Sequence, residues 1–79
     1  MRRYFFDFFD GVHWCTDTCG QEMNGLEDIA AEANEALVSL APKHFAGNPN
    51  GTLCFVVRDD CHNNVLRATL TLRNEILGT

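Results

Sequence analysis

Basic residues are scarce in this chain of 79 residues. Six lysine and arginine side chains stand against eleven aspartate and glutamate side chains, so the formal net charge at neutral pH is −5. An acidic protein is repelled by phosphate backbones and by anionic lipid. The charge balance therefore disfavours general binding to nucleic acid or to a membrane surface.

Long hydrophobic runs are also missing. No stretch approaches the roughly 20 apolar residues that span a bilayer. Arg2 and Arg3 precede an aromatic run, but Asp7 interrupts it, and no small-residue cleavage site follows, so the run does not have the form of an export signal. We therefore expect a cytoplasmic protein. In that reducing compartment its four cysteines are predicted to be free thiols.

The length predicts a single domain over residues 1–79, because the chain is too short for two. Hydrophobic residues make up 46% and charged residues 22%, a composition typical of a folded globular chain. A chain of this size buries only about 60% of the surface that it exposes when unfolded. It has little volume for a deep active site, so the sequence predicts no enzymatic activity and no cofactor.

Alternating and β-branched segments predict the strands. Residues 3–9, 52–59 and 65–73 are rich in aromatic, β-branched or alternating apolar residues, and residues 12–15 are predicted as a short additional strand. Residues 60–64 are polar and few enough to form a hairpin turn.

One amphipathic helix is predicted over residues 25–41. Asn24 is the expected N-cap, with Glu27 three residues later in a capping-box arrangement, and Pro42 is expected to end the helix. Apolar residues recur at three- and four-residue spacing along one face. The predicted fold is therefore α+β, with strand and helix order ββαββ and the helix packed on one face of a small antiparallel sheet. The predicted core consists of Tyr4, Phe6, Phe8, Leu26, Ile29, Ala33, Leu37, Leu53, Phe55, Leu66, Leu70 and Leu72.

Several segments resemble a family of small bacterial proteins, abundant in rhizobia and their relatives and classified only as a domain of unknown function. The matching segments lie in the first strand and its turn, in the helix, and in the third strand. They are Arg3-Tyr4-Phe5-Phe6-Asp7, Asp10-Gly11, Asp17, Gly20, Glu22, Leu26-Glu27, Ala30, Glu32-Ala33, Ala36-Leu37 and Val57-Arg58-Asp59. The resemblance implies a ββαββ-like fold and a rhizobial type of source, but no activity. Cys61-His62 replaces an Asp-Gly pair common in such proteins. Cys15 and Cys19 are also not part of the pattern that the chain shares with them.

Cysteine and histidine residues form the sharpest chemical group in the sequence. Zinc takes four thiolate or imidazole ligands, commonly in pairs two to four residues apart. Cys15 and Cys19 have such a spacing, but no second clean pair exists, so we expect no metal site. The weak candidates for zinc ligands are His13, Cys15, Cys19, Cys61 and His62.

Charge is distributed unevenly between the predicted elements. The helix carries acidic residues, whereas all five arginines lie outside it, on or beside the strands. Aromatic and arginine side chains on an open sheet face are typical of protein interfaces and of platforms for single-stranded nucleic acid. The net acidity favours a protein interface, for self-association or for a protein partner. The predicted interface residues are Arg3, Phe5, Phe9, Arg67 and Arg73.

Three alternatives to this interface stay open. The outer sheet face is a plain solvated surface in one of them. In another, residues 12–15 and the loop after them, with Trp14, fold back over Phe5 and Phe9. The third is a regulator linked to nucleic acid, because the element order loosely resembles the small antitoxin domain of the HicB type. A thiol- or zinc-dependent role ranks below these.

Overall fold

The computed structural model describes residues 1–78, which form one helix packed against a five-stranded antiparallel sheet. The predicted α+β class is therefore confirmed. The order is βββαββ rather than ββαββ, because residues 21–23, which the sequence did not mark as a strand, pair with the first strand. The elements are β1 (Arg2–Phe9), β2 (Trp14–Cys15), β3 (Gln21–Met23), α1 (Leu26–Ala46), β4 (Gly51–Asp59) and β5 (Asn64–Leu72).

The first strand lies inside the sheet because two short strands share one of its edges. β2 pairs with the C-terminal end of β1 and β3 pairs with its N-terminal end, while β4 pairs with the other edge of β1. β5 pairs with β4 and forms the far edge of the sheet. The helix packs on β4 and β5.

The core lies between α1 and one face of the sheet. Tyr4, Ile29 and Val57 form its centre, and Phe6, Met23, Val65 and Leu66 pack around them. Tyr4, Ile29, Ala33, Leu37 and Leu53 are buried as predicted, whereas Phe6, Phe8, Phe55, Leu66 and Leu70 are half-buried.

Two residues of the predicted core were assigned wrongly. Leu26 is 58% exposed and Leu72 is 38% exposed. Leu26 is the first residue of α1, and Leu72 is the last of β5, where its partner on β4 is Gly51, which has no side chain to cover it. Periodicity assigns a residue to a face but does not show where the opposing element ends.

The helix also differs from its predicted bounds. It starts after Gly25, which caps it without a side-chain hydrogen bond, and it continues through Pro42 to Ala46. Proline costs the hydrogen bond to the carbonyl four residues earlier, at Val38, where the chain is exposed and water can replace it. The last turn is held because Phe45 and His44 lie beside Gly51 at the start of β4. Within residues 1–78, no helix is both long enough and apolar enough to cross a membrane.

Candidate interaction surface on the outer sheet face

The outer sheet face is the one opposite α1. The pairings Phe5 with Arg58, Phe9 with Cys54 and Val56 with Arg67 place these residues on the outer face, because the inner face takes the alternate positions. This distribution agrees with the alternation read from the sequence. Arg3 and Arg67 are exposed, whereas Phe5 and Phe9 are half-buried.

Arg58 is the centre of a polar network on this face. Its Nε donates to Asp7 Oδ2 at 2.8 Å, and its terminal nitrogen donates to the Asp17 carbonyl at 2.8 Å. Its guanidinium also lies 4.7 Å from the centre of the Phe5 ring, within the range of a cation–π contact. The hydrogen bond to Asp7 raises the pKa of Arg58 above its ordinary value, although burial acts against this. The Arg58 side chain therefore links β4 to β1 and to the loop after β2.

Asp17 fills the gap that β2 and β3 leave along the edge of β1. Its carboxylate accepts the backbone N–H groups of Phe6 at 3.0 Å, Cys19 at 3.0 Å and Gly20 at 3.1 Å. Its own N–H donates to Asp7 Oδ1 at 2.9 Å. Burial is the largest single influence on the pKa of Asp17 and raises it, but the three backbone donors and Arg58 together lower it below the ordinary value. The sequence analysis did not predict the contact of Asp17 with β1.

The loop over residues 16–20 lies against Phe5. Gly20 has a φ of +70°, and a Cβ atom at this position would come within 2.9 Å of Phe5 Cε1 and 3.0 Å of Arg3 Cγ. Only glycine fits this close approach in a left-handed conformation without displacing a neighbour. Phe5 is therefore covered by the loop on one side and by Arg58 on the other, rather than fully open.

Trp14 covers the other aromatic residue of the predicted interface. The ring centres of Trp14 and Phe9 are 4.9 Å apart. The preceding turn is fixed by Asp10, whose Oδ1 accepts the N–H groups of Val12 at 2.9 Å and His13 at 2.7 Å. These two donors, His13 first, lower the pKa of Asp10. Trp14 itself remains 56% exposed, so the aromatic pair forms an exposed apolar surface.

The predicted interface arginines have different surroundings. Arg3 donates to the Cys19 carbonyl at 2.9 Å and lies 3.7 Å from a Glu22 oxygen. Arg67 lies mid-strand in β5, and Arg73 follows the end of that strand; both are exposed. The structure thus brings Arg3 and Phe5 together beside Gly20, but it places Arg73 at the opposite edge of the sheet from β3.

The structure does not gather the cysteine and histidine residues into one metal site. Cys15 pairs with Phe8 and Asp59 pairs with Tyr4, so Cys15 and the turn that contains Cys61 are separated by about four residues of strand, roughly 13 Å. In residues 1–78, the one group of three potential ligand atoms within 4.8 Å of one another is Asp59, Asp60 and Cys61.

Turn geometry accounts for that acidic group. The Asp59 carboxylate accepts the N–H groups of Asn63 and Cys61, each at 2.9 Å, and these donors, Asn63 first, lower its pKa. Asp60 accepts a hydrogen bond from Arg2 at 3.0 Å. His62 takes the left-handed position of the turn, with a φ of 66°. These carboxylates therefore already have partners within the chain.

An open cleft of about 400 Å³ lies between the β1–β2 turn and the C-terminal end of α1. Its polar lining is largely paired within the protein: the Asn48 side chain donates to the His44 carbonyl at 2.9 Å, and Asn50 Oδ1 accepts the Asn74 N–H at 2.7 Å. Asp10 is occupied by its own turn. The cleft thus has room for a ligand, but few of its polar groups are free to bind one.

Comparison with known proteins identifies the family of this chain. No curated protein and no solved structure matches the chain significantly. A family model described as a domain of unknown function matches residues 3–71, from the first strand into the end of β5. Because this match spans most of the chain, the protein belongs to the domain-of-unknown-function family DUF6894.

Proposed function

We propose that this domain is a non-enzymatic interaction module that binds a protein surface through its outer sheet face. The observation that carries the proposal is the aromatic pair of Phe9 and Trp14, in which Trp14 stays 56% exposed on the β1–β2 pair. Tryptophan is strongly enriched among the residues that dominate binding energy at interfaces. We call Val12, Trp14 and Phe9 the outer aromatic patch.

The surroundings of the outer aromatic patch support this role. The Asp10 turn fixes the hairpin, so Trp14 is held in place before any partner arrives. Val12 is 77% exposed and adds apolar surface to the same hairpin. A preorganised apolar surface binds with a smaller loss of conformational entropy than a mobile one. Arg3 and Arg67, exposed on the same sheet face, would supply a polar surround.

The alternative of a nucleic-acid-linked regulator receives less support from the ion pairs. Arg2 pairs with Asp60, Arg3 with Glu22 and Arg58 with Asp7. These carboxylates reduce the positive charge that would attract phosphate groups. A gel shift with single-stranded oligonucleotides at low and at high salt separates the two proposals, because phosphate binding weakens steeply as salt rises.

The proposal is tested by Trp14→Ser, with Val38→Ser as the matched control, since both replace an exposed apolar side chain. Partners cross-linked to the domain in its native cells are compared for the wild type and the two variants. We expect Trp14→Ser to abolish the cross-linked species and Val38→Ser to preserve it. Identical results for the two variants, with unfolding midpoints equal to the wild type, would contradict the outer aromatic patch as the binding surface.

A further inference from the structure

The two edges of the sheet differ in how they are protected. On the β1 side, β2 and β3 cover the edge, and the Asp17 carboxylate takes the Phe6 N–H between them. On the other side, β5 pairs with β4 alone and has no partner strand on its outer edge within residues 1–78. β5 has nine residues and contains no proline, lysine or acidic residue. Its one charged residue is Arg67, and its one register shift lies near its start, between the pairs Val57–Leu66 and Arg58–Asn64, so most of the edge is regular. Natural sheets usually carry such residues, or a bulge or covering loop, on edges that stay unpaired.

From this asymmetry we infer that β5 pairs with β5 of a second copy of the chain, antiparallel and around a two-fold axis, to form one continuous sheet. This surface is distinct from the outer aromatic patch, so the inference stands independently of the proposed function. Such an isologous contact is the commonest way in which identical chains form a closed dimer.

The side chains of β5 select a register centred on Thr69. A centre at Arg67 would place that arginine opposite its own copy, and a centre at Leu70 would place it opposite Arg73; both arrangements are repulsive. A centre at Ala68 avoids this repulsion but places Leu72 opposite Asn64. With Thr69 at the centre, the inner-face apolar residues meet one another and Arg67 faces a threonine. The resulting pairs are Thr69 with Thr69, Ala68 with Leu70, Arg67 with Thr71 and Leu66 with Leu72. Leu72, which is 38% exposed in the single chain, would then gain an apolar neighbour.

The position of α1 permits this pairing. The helix packs on both β4 and β5. An axis midway between these two strands would lie about half a strand spacing inside the edge strand. The two half spacings, one in each copy, and the full spacing between the two β5 strands then place the two helix axes about 10 Å apart. Helices that pack side by side are separated by 8–10 Å. The two helices would therefore contact each other without displacing either sheet.

The helix side that faces the edge has suitable side chains. Phe45 lies beside Gly51 on β4, so the opposite side of the buried stripe, with Ala36 and Leu40, faces outward over β5. Leu40 is 42% exposed although it continues the spacing of the buried residues. An exposed leucine beside a small residue on a helix flank is the combination that a second helix can pack against.

The two-fold axis brings Ala36 of one copy opposite Leu40 of the second. Thr69 pairs with Cys54, which lies three strand residues, or about 10 Å, from Gly51. At a rise of 1.5 Å per residue, this distance corresponds to about seven residues of helix before Phe45, close to Val38. Positions equidistant from residue 38 then meet across the axis, so Leu40 of one copy contacts Ala36 of the second. Glu32, six residues before this centre, comes within one residue of Lys43 of the second copy, five residues after it, and this charge complementarity favours a second copy as the occupant.

Two measurements test the dimer. The first is sedimentation of the full chain across a wide concentration range, for which we expect twice the chain mass of 8.9 kDa. Leu40→Arg should shift the protein to monomer. Val38→Arg should leave the dimer intact, because Val38 is level with the axis but 67% exposed on the side of the helix away from the sheet. Trp14→Ser should also leave the dimer intact. A monomeric wild type at the highest concentration overturns the inference, and so does a dimer that Trp14→Ser dissociates and Leu40→Arg does not.

The second measurement is a cross-link that does not depend on the helix contact. In a chain whose Cys15, Cys19 and Cys61 are replaced by serine, and whose Cys54, opposite Thr69 on β4, is replaced by alanine, Thr69→Cys places two thiols directly opposite each other on the two-fold axis, at a separation that a disulfide can bridge. Mild oxidation should give a covalent dimer with Thr69→Cys and none with Thr71→Cys, whose symmetry mates lie apart. Equal cross-linking of the two variants, or none at Thr69, would exclude the register and with it the pairing.

Discussion

Arg58 and Asp7 face each other across the β1–β4 pair, with 2.8 Å between Arg58 Nε and Asp7 Oδ2 and both side chains more than four-fifths buried. The same guanidinium also reaches the Asp17 carbonyl and the Phe5 ring. One planar group thus joins two strands and a loop. A lysine cannot reproduce this geometry, because its single ammonium carries no fork of parallel donors.

We therefore expect Arg58→Lys to destabilise the domain, although it keeps the charge. The matched control is Arg67→Lys, on the same sheet face but exposed on β5. Urea unfolding followed by tryptophan fluorescence should show a clearly lower midpoint for Arg58→Lys and an unchanged midpoint for Arg67→Lys. Equal midpoints for both variants would show that the network adds nothing beyond charge.

Acid should weaken the fold through Asp17 and Asp59, because the pKa of each is lowered in the folded protein. A carboxyl with a depressed folded pKa contributes stability above its unfolded pKa, about 3.9, and this contribution is lost as the pH falls through the folded pKa. We expect the urea midpoint of the wild type to be nearly constant from about pH 7 to 5 and to fall below about pH 4. Asp17→Asn should have a lower midpoint at pH 7 and a shallower fall in acid, while Glu35→Gln, on the exposed side of α1, follows the wild type. An Asp17→Asn profile parallel to that of the wild type would argue against the carboxylate as the acid-sensitive group.

The elements that depend on local periodicity could be predicted from the sequence. Tyr4, Ile29 and Leu37 are buried because strand and helix periods place them on the inner faces, and both periods are visible in the residues themselves. The C-terminal end of α1 could not be predicted in this way. Proline normally ends a helix, but here the packing of Phe45 against Gly51 outweighs the lost hydrogen bond.

The outer face was predictable only in part. Alternation assigned Phe5, Phe9 and Arg67 to it correctly, and the possibility that Trp14 folds back was visible but undecided. The contacts of Asp17 with Phe6 and with Arg58 join residues 11 and 41 positions apart. No local pattern encodes such pairs. The spacing of Asp17 and Gly20 indicates a turn, but it does not show that the turn closes the edge of β1.

Leu37→Ala should lower the free energy of unfolding by about 2–5 kcal/mol, because it removes a buried side chain and leaves a cavity in the core. Leu26→Ala deletes the same atoms at a position that is 58% exposed and should change stability by no more than about 0.5 kcal/mol. Urea titrations of the two variants under identical conditions provide the comparison. A loss at Leu26 as large as that at Leu37 would mean that the start of α1 is packed against the sheet.

Gly20→Ala should destabilise the domain by at least about 1 kcal/mol, since an L-residue is strained in the left-handed region. Its Cβ would also come within 2.9 Å of Phe5. Gly47→Ala is the matched control, because its φ of −99° suits any residue and a Cβ there meets no atom within 4 Å. Thermal unfolding of both variants separates the two sites. A Gly20→Ala protein as stable as the wild type would show that the loop over residues 16–20 does not rest on Phe5.

The reactivity of the thiols should divide the four cysteines into two classes. All four are free thiols in the structure; Cys15, Cys19 and Cys61 are exposed, whereas Cys54 is buried on β4, with the Thr69 hydroxyl 3.7 Å from its sulfur. Titration of anaerobically purified native protein with a thiol reagent should therefore give three fast groups, and the fourth should react only when the protein unfolds. Cys54→Ala should remove the slow phase and leave the fast phase unchanged, which identifies the protected thiol directly. If two of the four thiols reacted only after addition of a reductant, the chain would contain a disulfide and the prediction of free thiols in the cell would be wrong.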